Sequence, residues 1–388
     1  MEIAQRLRQI PPYIFVELDR MKKEAIERGE DVISLSIGDP DLPTPSLIVE
    51  ALAHAAEKPE NHCYPLGTGK LALRQQIARY YETKHGVKLD PTSEIVALIG
   101  SKEGIGHLPL AVVDPGKVVL YPEPGYPVYR VSALFAGGEP YALPLLPDNN
   151  FLPDLDAVSS DTLARTRLLW LNYPNNPTAT FAPLEFFEKV VWFAKKYKFV
   201  VAHDAAYIDM VFRGERAHSF LEVPGAKDVG LEFHSFSKTF HMTGWRIGFA
   251  AGNRAVVGAL AEVKANVDSG VFGAVQDAAI VAMEHFDELV PPLLDVYERR
   301  CQILLNRLER LKWPNFTRPR GTFYVWLPTL NGKTSTEMTM ELLQKCAVMV
   351  TPGTAFGERG EGFIRIALTA SEQRIEEACD RIERTSLA

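Results

Sequence analysis

The sequence has few of the features that mark secreted, membrane-spanning or nucleic-acid-binding proteins. Its four cysteines are widely scattered, with no CxxC pair and no His/Cys cluster at zinc-ligand spacing. It has no run of about 18 apolar residues, so no membrane span is predicted. The formal net charge is -7 without any basic block, which argues against a nucleic-acid partner. The N-terminal segment lacks the apolar stretch of a signal peptide, so we predict reduced thiols and a cytoplasmic location.

Short apolar runs that alternate with amphipathic helical patterns fill the middle of the chain. Helical patterns such as 183–197 separate these runs. The runs are apolar on both faces, as the buried strands of a parallel sheet are. This alternation predicts an α/β fold with a doubly wound, mostly parallel sheet. The strand candidates are 94–100, 117–122, 167–174, 198–204, 230–236 and 246–252.

The C-terminal third of the chain has a different pattern. A long helical pattern at 287–311 is followed by short strands and helices, which predicts a smaller α+β domain. We predict a large domain over 41–290 and a small domain over 291–388. Residues 1–40 are predicted to form an N-terminal arm whose helix packs with the small domain. Such boundaries carry an uncertainty of several residues.

Polar residues lie just beyond the ends of most of the predicted strands. Taken singly, Lys238 reads as a solvated loop lysine, Asn176 as a turn former and Asp204 as a helix cap. Ligands of open α/β sheets bind beyond the carboxyl ends of the strands, where all these side chains would meet. A chance meeting of this whole set is improbable, so the set predicts a binding site. Its members are Ser101, Lys102, Tyr126, Asn176, Asp204, Tyr207, Ser235, Ser237, Lys238 and Arg246.

This set of side chains suits a pyridine aldehyde that carries a phosphate. A lysine amine binds an aldehyde covalently. A carboxylate keeps the ring nitrogen protonated, so that the ring can accept electrons. An aromatic side chain stacks on the ring face. Hydroxyls, helix N–H groups and an arginine bind the phosphate.

Three ordered motifs give the chain a resemblance to a known family. They are NNPT (175–178), HDAAY (203–207) and SFSK (235–238). With them the chain resembles the class I/II, fold type I pyridoxal-phosphate-dependent aminotransferases over nearly its whole length. The resemblance implies a seven-stranded, mostly parallel sheet in the large domain and pyridoxal 5'-phosphate as cofactor. It also implies a homodimer with composite active sites.

The resemblance also implies a role for each site residue. Lys238 would bind the cofactor aldehyde and act as the base, and Asp204 would pair with the ring nitrogen. Asn176 and Tyr207 would donate to the phenolic oxygen. The remaining roles are phosphate binding for Ser101, Lys102, Ser235, Ser237 and Arg246, ring stacking for Tyr126, contact with the partner subunit's phosphate for Tyr64, and binding of the substrate α-carboxylate for Arg365.

Further segments, among them 34–45, 124–130 and 220–239, resemble the LL-diaminopimelate aminotransferases of bacterial lysine biosynthesis. That resemblance implies transfer of an amino group from LL-diaminopimelate to 2-oxoglutarate, which gives tetrahydrodipicolinate and glutamate. It implies a substrate site without metal, to which Tyr13, Gly38, Lys102, Arg365 and, from a predicted interface loop, Ser269 contribute.

Three residues in two segments depart from the family pattern. Gly67 and Thr68 stand where relatives carry a glutamate suited to the substrate's second ammonium, and Ala179 replaces the glycine of NNPTG. A desolvated ammonium without a carboxylate is costly, so either another acid serves or the substrate is a different amino acid. Aspartate, alanine or aromatic transamination and C–S lyase chemistry therefore stay open. A regulator's sensor domain is disfavoured, since only about 30 residues precede the predicted core.

Overall fold

The computed structural model describes residues 2–10, 14–65 and 67–385. The strands are β1 (Ile33–Ser34), β2 (Ile95–Leu98), β3 (Val118–Glu123), β4 (Glu139–Pro144), β5 (Thr166–Asn172), β6 (Val200–Asp204), β7 (Gly230–Ser235), β8 (Gly248–Gly252), β9 (Tyr324–Pro328), β10 (Val348–Met349), β11 (Thr351–Pro352) and β12 (Phe363–Ala367). The helices are α1 (Gln5–Arg8), α2 (Ile14–Glu27), α3 (Ser46–Ala56), α4 (Leu71–His85), α5 (Ser101–Val112), α6 (Val128–Phe135), α7 (Ser160–Arg165), α8 (Leu184–Tyr197), α9 (Phe236–Thr239), α10 (Arg254–Val267), α11 (Gly273–Glu284), α12 (Phe286–Arg310), α13 (Ser335–Cys346) and α14 (Glu372–Arg384).

A seven-stranded sheet in the order β2-β8-β7-β6-β5-β3-β4 forms the centre of the molecule. Strand β8 runs antiparallel to both of its neighbours, and the other pairs are parallel, so the predicted fold class is confirmed. Because β8 is reversed, its start lies at the edge where the parallel strands end. Arg246, two residues before β8, reaches that edge from a left-handed backbone conformation with φ of 54°.

Strand β4 is absent from the strands predicted above. It lies at the end of the sheet, and side chains at Glu139 and Tyr141 are exposed. An edge strand with one wet face does not show the continuous apolar run of a buried strand. Continuous apolar runs therefore do not predict this seventh strand.

Helices cover both faces of the large sheet. On β5, Leu169 and Leu171 pack in the same apolar cluster as Phe187 of α8. The alternate residue Trp170 packs on the other face with Leu108 of α5. Successive strand residues point to opposite faces, so a strand of continuous apolar residues needs a helix layer on each side.

A second group of elements follows α12. It contains the antiparallel sheet β11-β12-β9 with helices α12, α13 and α14, and β1 pairs in parallel with β10. Leu18 of α2 packs with Leu343 of α13 and with Met349, so the N-terminal helix contacts this group. The domain boundaries near 40 and 290 stay predictions. No helix within the described ranges is both long and apolar enough to cross a membrane.

Candidate active site

A cavity of ≈ 510 Å³ lies at the carboxyl edge of the large sheet. This volume falls in the range of small-molecule sites. The structure brings most of the predicted site residues together in its wall. Those that line it are Gly38, Ser101, Lys102, Tyr126, Asn176, Asp204, Tyr207, Ser235, Ser237, Lys238, Arg246 and Arg365.

Lys238 lies in the single turn of α9 that directly follows β7. Its Nζ donates a hydrogen bond to the Gly38 carbonyl oxygen at 2.8 Å. Burial lowers the pKa of Lys238 to about 8, with the carboxylate of Asp39 opposing the shift and the charges of Arg365 and Arg246 adding to it. A substantial fraction of the amine is therefore neutral near physiological pH, as a nucleophile or base requires.

Asp204 ends β6 with a buried carboxyl group. The Tyr129 hydroxyl donates to Oδ2 at 2.7 Å, and the Ala206 N–H donates to Oδ1 at 3.3 Å. Burial raises the pKa of Asp204, against the lowering effect of these hydrogen bonds. A carboxylate in this position is stabilised by a cationic N–H group in the cavity. Tyr129 was not predicted as a site residue, because an aromatic in a helix reads as core.

Arg365 of β12 is buried with 2% of its surface exposed. Nη1 donates to Asn176 Oδ1 and Nη2 donates to the Ser36 carbonyl oxygen, each at 2.7 Å. The guanidinium lies between the rings of Tyr324 and Phe356, 4.2 and 4.7 Å from their centroids. This packing fixes the orientation of the guanidinium for a carboxylate. Since Oδ1 of Asn176 is engaged, its amide N–H groups are the donors left for a ligand.

Tyr207 and Tyr324 share a hydrogen bond between their hydroxyl oxygens at 2.9 Å. Burial raises the pKa of both hydroxyls, so they remain neutral donors. A Cβ atom at Gly38 would collide with the Tyr324 hydroxyl, so the chain at 38 can pass over the site only as glycine. Tyr324 was also missed from the sequence, because it lies in the apolar run YVWLP.

The first turn of α5 and the approach to β8 form the cationic end of the cavity. Gly100 caps α5 with φ of 73°, and a Cβ atom there would collide with the guanidinium of Arg246. Nη1 of Arg246 is held by the Thr243 carbonyl oxygen at 2.8 Å. Burial and the charge of Arg246 lower the pKa of Lys102. A helix N-terminus flanked by two cations binds a phosphate well.

Two serines at the end of β7 lie on the same wall. The Ser235 hydroxyl oxygen accepts the Ser237 N–H at 3.2 Å, so Ser235 caps the turn that carries Lys238. Both serines line the cavity.

The residues present fit pyridoxal phosphate. The cradle that Gly100 opens between α5 and Arg246 suits a phosphate group. The buried carboxyl group of Asp204 suits a protonated ring nitrogen. Lys238, with its lowered pKa, suits an aldehyde.

Among the described residues, two of the predicted site residues do not line this cavity. Tyr64 is 90% exposed, and Ser269 lies exposed between α10 and α11. Tyr13 lies outside the described residues. Ala179 adopts φ of 58°, and its N–H bonds to the Asn175 carbonyl oxygen at 2.8 Å, so alanine takes the left-handed conformation that glycine prefers. Asn176 still lines the cavity.

Comparisons with known proteins agree with this geometry. The family described as aminotransferase class I and II matches residues 30–382. The LL-diaminopimelate aminotransferase of Aquifex aeolicus is 50% identical over 386 residues, which is 100% of both chains. That of Moorella thermoacetica is 50% identical over 99% of this chain and 98% of its own. The apo structure of BacF from Bacillus subtilis superposes with a TM-score of 0.95 at 36% identity, over 100% of this chain and 99% of its own. The chain therefore belongs to the class I and II aminotransferases, which depend on pyridoxal phosphate.

Proposed function

We propose that this aminotransferase moves an amino group from LL-diaminopimelate to 2-oxoglutarate, producing tetrahydrodipicolinate and glutamate for lysine biosynthesis. One observation supports the assignment of the substrate. Relatives that are 50% identical over the full chain bear the name LL-diaminopimelate aminotransferase. The cationic, carboxylate-binding cavity supports an amino acid substrate with an α-carboxylate.

The active enzyme is proposed to be a cytoplasmic homodimer. Tyr64, Val267 and Phe272 are 90%, 59% and 47% exposed, and such apolar exposure favours burial against another chain. Gly67 lies close to Ala265, so the loop after Tyr64 and the end of α10 belong to one surface. A partner on this surface would bring Tyr64 and Ser269 toward the neighbouring cavity. The four free thiols support the cytoplasm.

The bound cofactor supplies an electron-accepting ring that makes the substrate's Cα–H bond acidic. Arg365 binds the α-carboxylate through its fixed guanidinium and so orients the Cα–H bond. Asp204, whose carboxylate is held in place by Tyr129, would keep a proton on the ring nitrogen. Tyr207 and the amide of Asn176 would donate hydrogen bonds to the phenolic oxygen.

Lys238 performs the proton transfer. Its neutral Nζ takes the proton from the substrate Cα, and the lowered pKa keeps part of the amine neutral. The Gly38 carbonyl oxygen, 2.8 Å away, gives the amine a fixed hydrogen-bond acceptor when it is not bonded to the aldehyde. Tyr126 would stack against the ring, and the first turn of α5 with Arg246 would hold the phosphate.

The pKa of Lys238 predicts how fast the apoenzyme captures its cofactor. A protonated amine is not nucleophilic, so the rate should rise with pH through about 8 and level off above it. An ordinary lysine would keep gaining rate up to 10.5. Stopped-flow absorbance of the bound cofactor measures this profile. A rise that continues to pH 10 would contradict a buried, neutral amine.

Asp39 is the carboxylate proposed to replace the glutamate that is missing at Gly67 and Thr68. It lines the cavity on the chain segment next to Gly38, and its side chain is exposed. Among the described residues it has no hydrogen-bond or ion-pair partner. Asp204 is committed to Tyr129, which leaves Asp39 as the carboxylate available to the second ammonium of a diamino acid.

The substrate is tested by mixing the holoenzyme with single amino acids and following the loss of its yellow absorbance. We expect fast loss with LL-diaminopimelate and glutamate, and little with the meso isomer, aspartate, alanine, phenylalanine or cystathionine. The matched variant Asp39→Asn should react about two- to fivefold more slowly with LL-diaminopimelate, the effect of one exposed ion pair, and equally well with glutamate.

Other outcomes separate the remaining alternatives. Fast reaction with aspartate, alanine or phenylalanine, but not LL-diaminopimelate, would retain the aminotransferase and reject this substrate. Pyruvate release from cystathionine would indicate a C–S lyase. Equal losses with both substrates in Asp39→Asn would show that Asp39 acts on Lys238 and does not select the substrate.

A further inference from the structure

A buried lysine lies behind the phosphate end of the cavity. Lys264, in the last turn of α10, has a side chain that is 0% exposed. Its Nζ donates to Asp268 Oδ1 at 2.7 Å and to Glu103 Oε2 at 3.3 Å. A buried ammonium is costly unless it is paired, and these two carboxylates supply the pairing. No step of the proposed reaction uses it.

Glu103 connects this lysine to the cofactor site. It lies in the first turn of α5, the turn that presents Ser101 and Lys102 to the cavity. Its Oε2 also accepts the Ile99 N–H at 3.0 Å, and its Oε1 pairs with His107 Nδ1 at 2.7 Å. The carboxylate therefore connects Ile99, just after β2, with the second turn of α5 across the bend at Gly100.

The position of Glu103 creates an electrostatic conflict. A carboxylate in the first turn stabilises a helix, but this helix N-terminus also receives a phosphate of the same sign. Like charges that lie close together in a site of low dielectric repel each other and disfavour binding. The ammonium of Lys264 offsets the carboxylate from within the protein, without occupying the cavity.

The same cluster could be mistaken for a metal site. The ligand atoms of Glu103, His107 and Asp268 all lie within 4.8 Å of one another. Lys264 Nζ already contacts two of these residues and supplies the positive charge that a cation would bring. The cluster is therefore built around a lysine.

We propose that Lys264 is a positioning residue for the cofactor: it neutralises Glu103 and holds the first turn of α5 so that this turn binds the phosphate. The proposal concerns the phosphate alone. Pyridoxal, which lacks the phosphate, would offer the same aldehyde to Lys238 and the same ring nitrogen to Asp204. Pyridoxal is therefore the control ligand, because substitutions at Lys264 and Glu103 should not change its affinity.

The test is the equilibrium dissociation constant of the apoenzyme for pyridoxal phosphate and for pyridoxal, measured by absorbance titration. Lys264→Met should weaken pyridoxal phosphate about tenfold or more by exposing the phosphate to an uncompensated Glu103, and leave pyridoxal unchanged. The double variant Lys264→Met with Glu103→Gln should regain most of that affinity. The wild-type protein must bind pyridoxal phosphate more tightly than pyridoxal. If it does not, the assignment of the cofactor is wrong, and this result is known before any variant is compared.

A purely structural role gives different results. Equal weakening of both ligands in Lys264→Met, without recovery in the double variant, would overturn the proposal. Where Lys264→Met does not fold, Glu103→Gln alone decides, since it leaves the Lys264–Asp268 pair intact. It should bind pyridoxal phosphate as tightly as the wild type or more tightly. Selective weakening of the phosphate ligand in Glu103→Gln would contradict the proposal.

Discussion

Lys238→Ala is expected to lower kcat by at least about 10³-fold, because it removes both the covalent attachment of the cofactor and the base. The cavity still offers the phosphate cradle and Asp204, so the variant should bind pyridoxal phosphate without the covalent bond. Steady-state turnover with LL-diaminopimelate and 2-oxoglutarate measures the loss. Absorbance spectra of the purified variant report whether the cofactor is bound as a free aldehyde.

Lys102→Ala is the matched control for this experiment. It removes a second lysine from the same cavity, but one at the phosphate end. We expect weaker cofactor binding and, at saturating cofactor, turnover within about tenfold of the wild type, the effect of a single charge-assisted contact. If Lys238→Ala kept a tenth of the wild-type rate, the assignment of the base would be wrong.

The strand ends of the large sheet could be predicted from the sequence, and with them most of the cavity. Asn176, Asp204 and Lys238 each follow a continuous apolar run, so the chain order alone places them at one edge of a parallel sheet. Arg246 was predicted in the same set, but the structure supplies the reason for its position. It precedes β8, and only the reversed direction of that strand brings it to the same edge.

The supporting residues were not predictable in the same way. Tyr129 and Tyr324 lie in apolar helical and strand patterns, where an aromatic residue is indistinguishable from core. Their functions depend on hydroxyl contacts across 75 and 117 positions of sequence. Lys264 and Glu103 are 161 positions apart, and each reads as an ordinary surface charge on its own helix. No local periodicity reports such pairings.

Tyr64 shows a different limit. Its exposure of 90% in one chain is the expected state of a residue whose role lies in a partner subunit. Its proposed contacts lie in a second copy of the chain. The homodimer therefore stays a proposal, and its test is the oligomeric state of the protein in solution.

Asp204→Asn is the second substitution with a large expected effect. Asparagine keeps the shape of the side chain but cannot hold a proton on the ring nitrogen, so the ring loses its capacity to accept electrons. Removing one partner of a buried charge pair costs about 3–5 kcal/mol, which corresponds to a loss of about 10²- to 10⁴-fold in the rate of the glutamate half-reaction. Stopped-flow loss of the cofactor's absorbance measures that rate.

Tyr129→Phe separates the charge of Asp204 from its placement. The variant removes the 2.7 Å hydrogen bond to Oδ2 but leaves the carboxylate in the cavity. A hydrogen bond to a charged group contributes about 1.5–3 kcal/mol, so this loss should stay near one to two powers of ten. Equal rates in the two variants would show that the carboxylate charge is not what activates the ring. A larger loss in Asp204→Asn locates the effect at the ring nitrogen, because both variants disturb the same hydrogen bond and only one removes the charge.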